Sequence, residues 1–312
     1  MAVVAGLLAW GFGAGAQARK SGLAFWEPPP AVKDLLVHPP KSDAARLAAL
    51  RQAFDQFHCS GDQIEEQPAG PRGDENLICK LPGDTAEPIL VVSRYDGHAD
   101  VGWQVSWVDA FLLPVLYHAL QAQPRHHTFV FAALHGDEGE AAFFGSTHST
   151  GQATPSAMIV LDGLGYGSPL WYTVAPAKPS GDPNNPMGTN GILGGVAAAI
   201  CRVLKIPAPA NLNPEHYTTN DGFFNAQNWR GKRQQSTLFR GAGETPELLI
   251  YSDRPDDADR VDDLALPDIQ KDLDFAAWLL CFADVKLDAA PAPASAPAAP
   301  ATSAASGDSS PH

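Results

Sequence analysis

Apolar residues recur along this chain at the two spacings that mark strands and helices. Ile89 to Val92 and Thr128 to Leu134 are short runs of β-branched and aromatic residues, and the apolar segment Ala110 to Leu120 lies between them. That order predicts strand, helix, strand, a βαβ unit. Upstream, Ser42 or Asp43 can cap a helix that carries Leu47, Leu50, Phe54 and Phe57 on one face. Glu75 to Leu81 reads as a strand closed by the turn Pro82-Gly83-Asp84, with Ile89 to Val92 as its expected antiparallel neighbour.

Downstream, Ala157 to Leu161 is an apolar strand that ends in Asp162 and runs into Gly163, Gly165 and Gly167. Residues 174–190 are rich in Pro, Gly and Asn and predict a loop. Ile192 to Leu204 predicts a helix, Ser236 to Phe239 and Glu247 to Tyr251 predict strands, and Asp268 to Phe282 a closing amphipathic helix. No internal repeat is found. The expected fold class is α/β: a three-layer sandwich with a mixed, mainly parallel central sheet and helices on both faces.

The ends differ from this middle. Residues 1–18 are apolar and finish in Ala16-Gln17-Ala18, the small-x-small pattern of a signal peptide cut before Arg19. A basic n-region is missing, so a retained anchor or a buried helix are the alternatives. Residues 19–41 hold Pro28-Pro29-Pro30 and Pro39-Pro40 and read as an extended lead-in. The folded domain is expected over residues 42–286. Residues 287–312, rich in Pro, Ala and Ser, cannot bury enough surface to offset ordering entropy and predict a disordered tail.

Composition narrows the function. A chain of 312 residues with 45% hydrophobic content can build a sizeable core, and a formal charge of -14 argues against nucleic acid as a partner. Four cysteines are compatible with an oxidising compartment. Cys59 and Cys79 are placed to close a loop by a disulfide; Cys201 and Cys281 sit in apolar helical patterns, where buried thiols and a bridge remain open. The expected location is periplasmic or secreted, with no membrane contact beyond an uncleaved N-terminal segment.

In open α/β sheets the chemistry sits on loops leaving the carboxyl ends of the strands. Here those are Ser93 to Asp100 and the acidic loop His135 to Glu140, which hold the His and carboxylates of a hydrolytic metal site. Trp103, Trp107, Trp171 and Tyr172 either line a pocket or pack. His126 and His127 read as structural. The aspartates of residues 253–263 lack an EF-hand spacing.

Several strings resemble peptidase family M twenty-eight, the co-catalytic zinc aminopeptidases. They are Asn76-Leu77-Ile78-Cys79 with Leu81-Pro82-Gly83, Leu113-Pro114-Val115-Leu116-Tyr117, His127-Thr128-Phe129-Val130-Phe131, and Ala157-Met158 with Leu161-Asp162. The resemblance spans Leu47 to Phe282 and implies a zinc-exopeptidase-like fold. It also implies two metal ions that polarise a peptide carbonyl and activate a bridging water, with a carboxylate as base.

Laid on this sequence, the implied site is broken. The first ligand His falls on Arg94, although the orienting Asp96 is kept, and the bridging Asp falls on Val105. The Glu-Glu pair falls on Asp137 and Glu138, which puts the shorter Asp137 in the base position and Glu138 as a retained ligand position; Glu140 is an alternative match. Asp162 fits the next ligand. The late His falls on Tyr251 or neighbouring Ser252, neither a usual zinc ligand. His98 and His135 lie in the right loops to substitute. Asn220-Asp221 followed by Phe223-Phe224 resembles the Ser-Asp segment near the family's pocket, or is a loop turn, with Asp221 as a cleft candidate.

Arg94 suggests what replaces the metal. Clustered carboxylates without a cation would repel and be costly to bury, so a guanidinium at the old ligand position is expected to contact Asp96, Asp162 or Glu138. The expected function is a zinc-aminopeptidase-like protein without hydrolysis and without a cofactor, binding a peptide or protein partner. The alternative is a metal-dependent exopeptidase, holding zinc at a rearranged site of Asp162, Glu138 and one of His98 or His135. A glutaminyl-cyclase-like enzyme is a third class that would also need the metal ligands.

Overall fold

In a computed structural model the chain is described over residues 34–36, 38–71, 73–96, 103–149, 155–161, 163–174, 191–206, 247–252 and 265–288. The segment read as signal peptide, the strand at 236–239, the aspartates of 253–263 and residues 289–312 of the expected tail lie outside these residues, whereas Leu287 and Asp288, expected to begin that tail, complete the last helix and Leu287 packs on the core. Seven strands form one sheet: β1 (Ile64–Pro68), β2 (Glu75–Leu81), β3 (Thr85–Arg94), β4 (His127–Leu134), β5 (Ala157–Leu161), β6 (Pro169–Val174) and β7 (Glu247–Ser252). Their order is β1-β2-β4-β3-β5-β7-β6. The four central strands are parallel, and the pairs β1/β2, β2/β4 and β6/β7 are antiparallel.

Period-two alternation divides the sheet residues between two cores. Leu77, Ile89, Val91, Phe129, Phe131, Ile159 and Ile250 point into a large core closed by α1 (Asp43–Gln56), α2 (Trp103–Gln121), α4 (Gly191–Leu204) and α5 (Leu266–Asp288). Ile78, Leu90, Val92, Val130, Met158, Val160 and Leu249 point the other way, toward Phe143 and Phe144 of α3 (Gly136–Ser149). Burial on both faces is why the central strands are almost continuously apolar. This is the expected mixed sheet with helices around it, and β3-α2-β4 is the expected βαβ unit.

Three readings need correction. β3 does not pair with β2, because β4 lies between them. The turn after β2 passes so close to the β4 backbone that a side chain at Gly83 would collide with the His127 carbonyl. Thr85 N–H then donates to His126 O at 2.8 Å, and the chain enters β3 on the far side of β4. Next, the acidic segment after β4 is the first turn of a helix. It carries Asp137 and Glu138 at the positive end of the helix dipole. Finally, part of the lead-in packs: Leu36 is fully buried, and Trp107 donates its indole N–H to Leu35 O at 2.7 Å.

Ser42 is the N-cap of α1, accepting from Ala45 N–H. Cys59, just beyond α1, is disulfide-bonded to Cys79 of β2, while Cys201 and Cys281 are free thiols. His127 is structural as expected: its Nδ1 lies 2.9 Å from Asp284 Oδ1, and both residues are buried. Trp107 packs in the core, tilted against Phe111.

Candidate functional site

The four parallel strands end along one edge of the sheet. Arg94 pairs in register with Leu134, Val92 with Val160, and Leu161 with Ile250. The topology therefore gathers residues 94–96, 135–140, the turn beginning at 163 and residues 251–252 on one rim. Arg94 is the last residue of β3, so Ser93 and Arg94 belong to the strand and the loop starts at Tyr95.

The Arg94 guanidinium makes a bidentate pair with Asp96, Nε to Oδ1 and Nη2 to Oδ2, both at 2.8 Å. Its third nitrogen, Nη1, donates to Asp137 Oδ1 at 3.1 Å. Arg94 and Asp96 are 11% and 4% exposed, whereas Asp137 is 64% exposed, so the pair is buried and its third arm opens to solvent. Burial works to lower the Arg94 pKa, but the Asp96 hydrogen bonds and the charges of Asp96, Glu140 and Asp137 outweigh it and raise the pKa. Of the three partners expected for Arg94, the structure gives Asp96; Asp137 is an added one.

Gly136 lies beside this pair, and its φ of +59° is in the left-handed region that favours glycine. The turn that follows is held from β2 by Asn76, which is fully buried. Asn76 Oδ1 accepts from His135 N–H at 2.9 Å, and its amide donates to Gly139 O at 2.7 Å and Gln67 Oε1 at 2.9 Å. One side chain thus grips both ends of the turn that presents Asp137 and Glu138. Both are exposed, and the Glu138 carboxyl lies against Gly70, where a Cβ would collide with it.

A second arginine lies beneath. Arg46 of α1 is 1% exposed; its Nε donates to Pro40 O at 3.0 Å and its Nη1 to Tyr95 O at 3.1 Å. Desolvation lowers its pKa against the opposing pull of Asp43 and Asp96. His135 is drawn into the same scaffold. Its Nε2 lies 3.3 Å from Asp43 Oδ2, and Nδ1 3.7 Å from Asp74 Oδ2. Tyr95, whose ring faces His135, donates to Glu75 O at 2.5 Å, and burial followed by the charges of Asp43, Asp74, Asp96 and Glu75 raises its pKa.

On the other half of the rim, Asp109 of α2 accepts from Gly163 N–H and Leu164 N–H. Asp272 of α5 accepts from Gly165 N–H and from Ser252 Oγ. Asp162 itself, His98 and Asp221 lie outside the described residues. Val105 falls in the first turn of α2, and Tyr251 is a buried residue of β7. Among the described residues, no three His, Cys, Asp or Glu side chains are grouped to hold a metal ion. Both oxygens of Asp96 and one of Asp137 are bonded to a guanidinium, and His135 lies between two other carboxylates. The described donor set does not fit zinc.

Sequence reasoning found Arg94 and Asp96 but missed Arg46 and Asp272. Each stands on the apolar stripe of its helix, Arg46 with Leu50 and Ala53, Asp272 with Ile269 and Ala276. A charge on a buried stripe was the available signal.

No family model matches the chain, and no curated protein matches it by sequence. Solved structures do. LapB from Legionella pneumophila superposes with a TM-score of 0.61 at 12% identity, over 86% of this chain and 76% of that one. A glutaminyl cyclase from an Acidobacteriales bacterium gives 0.58 at 15%, over 88% and 99%. The LapA aminopeptidase of Legionella pneumophila gives 0.54 at 10%, over 81% and 71%. At these identities the likeness shows the fold, shared by an aminopeptidase and a glutaminyl cyclase.

Proposed function

We propose that this chain is a zinc-aminopeptidase-like protein, related to peptidase family M twenty-eight, that has given up hydrolysis and keeps its cleft to bind a peptide or a protein partner. One observation carries the reading: the Arg94 guanidinium, where the resemblance implies the first ligand, bonds both Asp96 and Asp137. Arginine keeps its proton and cannot ligate a cation. It also engages one of the two carboxylate oxygens of Asp137, the residue at the base position that the resemblance implies. The fixed positive charge offsets the carboxylates that a metal would otherwise have neutralised.

Export to the periplasm or beyond belongs to the same reading. The Cys59–Cys79 disulfide suits an oxidising compartment, as does the small-x-small pattern of residues 1–18. Among the described residues no helix is long and apolar enough to cross a membrane.

The rival is a metal-dependent exopeptidase with a rearranged site of Asp162, Glu138 and His98 or His135. The engagement of His135 with Asp43 and Asp74 weighs against its share in such a site. The full-length likeness to a glutaminyl cyclase favours a second enzyme to test. The experiment offers the purified protein aminoacyl anilides and N-terminal glutaminyl peptides, with added zinc and with chelator. The expected result is no turnover in any arm, with bound peptides recovered intact. Chelator-sensitive release of amino acid, or cyclised product, overturns the reading.

A further inference from the structure

The turn that leaves β5 is gripped by two buried carboxylates from different helices. Gly163 N–H and Leu164 N–H donate to Asp109 Oδ2 and Oδ1 at 2.7 and 2.8 Å, and the next N–H, that of Gly165, donates to Asp272 Oδ2 at 2.7 Å. Three consecutive amides are thereby held by side chains of α2 and α5. Asp272 Oδ2 also accepts from Ser252 Oγ, at the end of β7, at 2.8 Å. Ser252 Oγ in turn accepts from Tyr166 N–H at 3.3 Å.

Asp272 is completely buried, and its other oxygen, Oδ1, has no hydrogen-bond partner among the described residues. An ionised carboxylate can accept on both oxygens, and leaving one unmet inside a protein is costly. The neutral acid avoids the charge and most of that cost. We propose that Asp272 is a protonation-controlled latch: neutral, it ties α5 to the β5 turn and the end of β7; ionised, it accepts the same bonds more strongly but places a charge in a fully buried position, and the cost of that charge favours opening of the junction.

The surroundings leave the charge little help. Among the described residues, the charged groups acting on Asp272 are Asp268 and Lys271, both on its own helix. β7 brings the Ser252 hydroxyl, the turn brings the Tyr166 N–H to that hydroxyl, and α2 brings Asp109 to the neighbouring amides. The other elements packed on α5 are α4, which carries Cys201 and Arg202, and β6. Burial raises the Asp272 pKa to about 7, with the Gly165 and Ser252 hydrogen bonds and Lys271 pulling down and Asp268 pushing up.

The sign follows from that shift. The folded state holds the proton to higher pH than the unfolded chain, so stability from the neutral form is full below the ordinary aspartate range. It is lost progressively as pH rises toward about 7. Asp162 directly precedes the gripped turn, so the latch acts on the β5–β7 half of the rim. It stands whether or not the cleft is hydrolytic.

The test is a carbon-13 NMR titration of the aspartate carboxyls in the full chain, with amide exchange at Gly165 followed in parallel. One carboxyl is expected to titrate near 7 and to be missing from D272N. In S252A, which removes a donor to the ionised form, its midpoint should move up. Exchange at Gly165, corrected for intrinsic chemistry, should accelerate by about tenfold between pH 6 and pH 8 in the wild type and stay level in D272N. If D272N fails to fold, the wild-type titration and the S252A shift decide. No aspartate titrating above about pH 5, or a Gly165 amide indifferent to pH, overturns the latch.

Discussion

The two halves of the rim bury negative charge in different ways. On the β3–β4 side, Asp96 is held by a bidentate guanidinium with Arg46 close behind it, and the outer arm of Arg94 reaches Asp137. On the β5–β7 side, the described bonds from Asp109 and Asp272 to the turn come from backbone N–H groups, with Ser252 adding a hydroxyl. The first arrangement has formal cations. The second relies on dipoles, and for Asp272 the proposal adds a proton. Guanidinium pairing and amide dipoles are two ways to hold a carboxylate at one sheet edge.

That contrast can be broken from either side. The largest effect is expected for Arg94→Ala, which leaves the 4%-exposed Asp96 without its bidentate partner. Denaturant unfolding should show a loss of about 3 kcal/mol, and Arg94→Lys, which restores charge without the fork, should recover only part of it. A loss under about 1 kcal/mol would mean that Arg46 alone balances the site. A smaller loss, about 2 kcal/mol, is expected for Asp109→Ala, which strands the Gly163 and Leu164 amides. Hydrogen exchange should show the damage confined to the β5 turn, and faster exchange at His135 as well would show that the two halves are coupled.

Much of this architecture was legible because it is written locally. The short runs of β-branched and aromatic residues at Ile89 to Val92 and Thr128 to Leu134, and the apolar segment between them, predicted β3-α2-β4. Strand adjacency was not, since the insertion of β4 between β2 and β3 depends on contacts of Gly83 with residues more than forty positions away. The helix at Gly136 was hidden by two glycines in five residues. Its first turn is held by Asn76, a residue fifty-nine positions upstream of His135.

The site was legible where charge logic sufficed. A buried arginine at the end of a strand needs a carboxylate, and Asp96 is two residues away. That Asp137 would be the second partner depended on where α3 starts. Asp272 and Arg46 were missed because helical periodicity was counted from apolar residues alone. Both stand within those stripes, as does Asp284, which accepts the His126 and His127 amides.

The most direct measurement is a calorimetric zinc titration of the purified full chain after chelator treatment, with metal content determined on the same sample. With Arg94 already bonded to both Asp96 and Asp137, the account predicts no stoichiometric binding and no tightly held zinc. One or two zinc ions per chain, bound tightly and removed only by chelator, would contradict it.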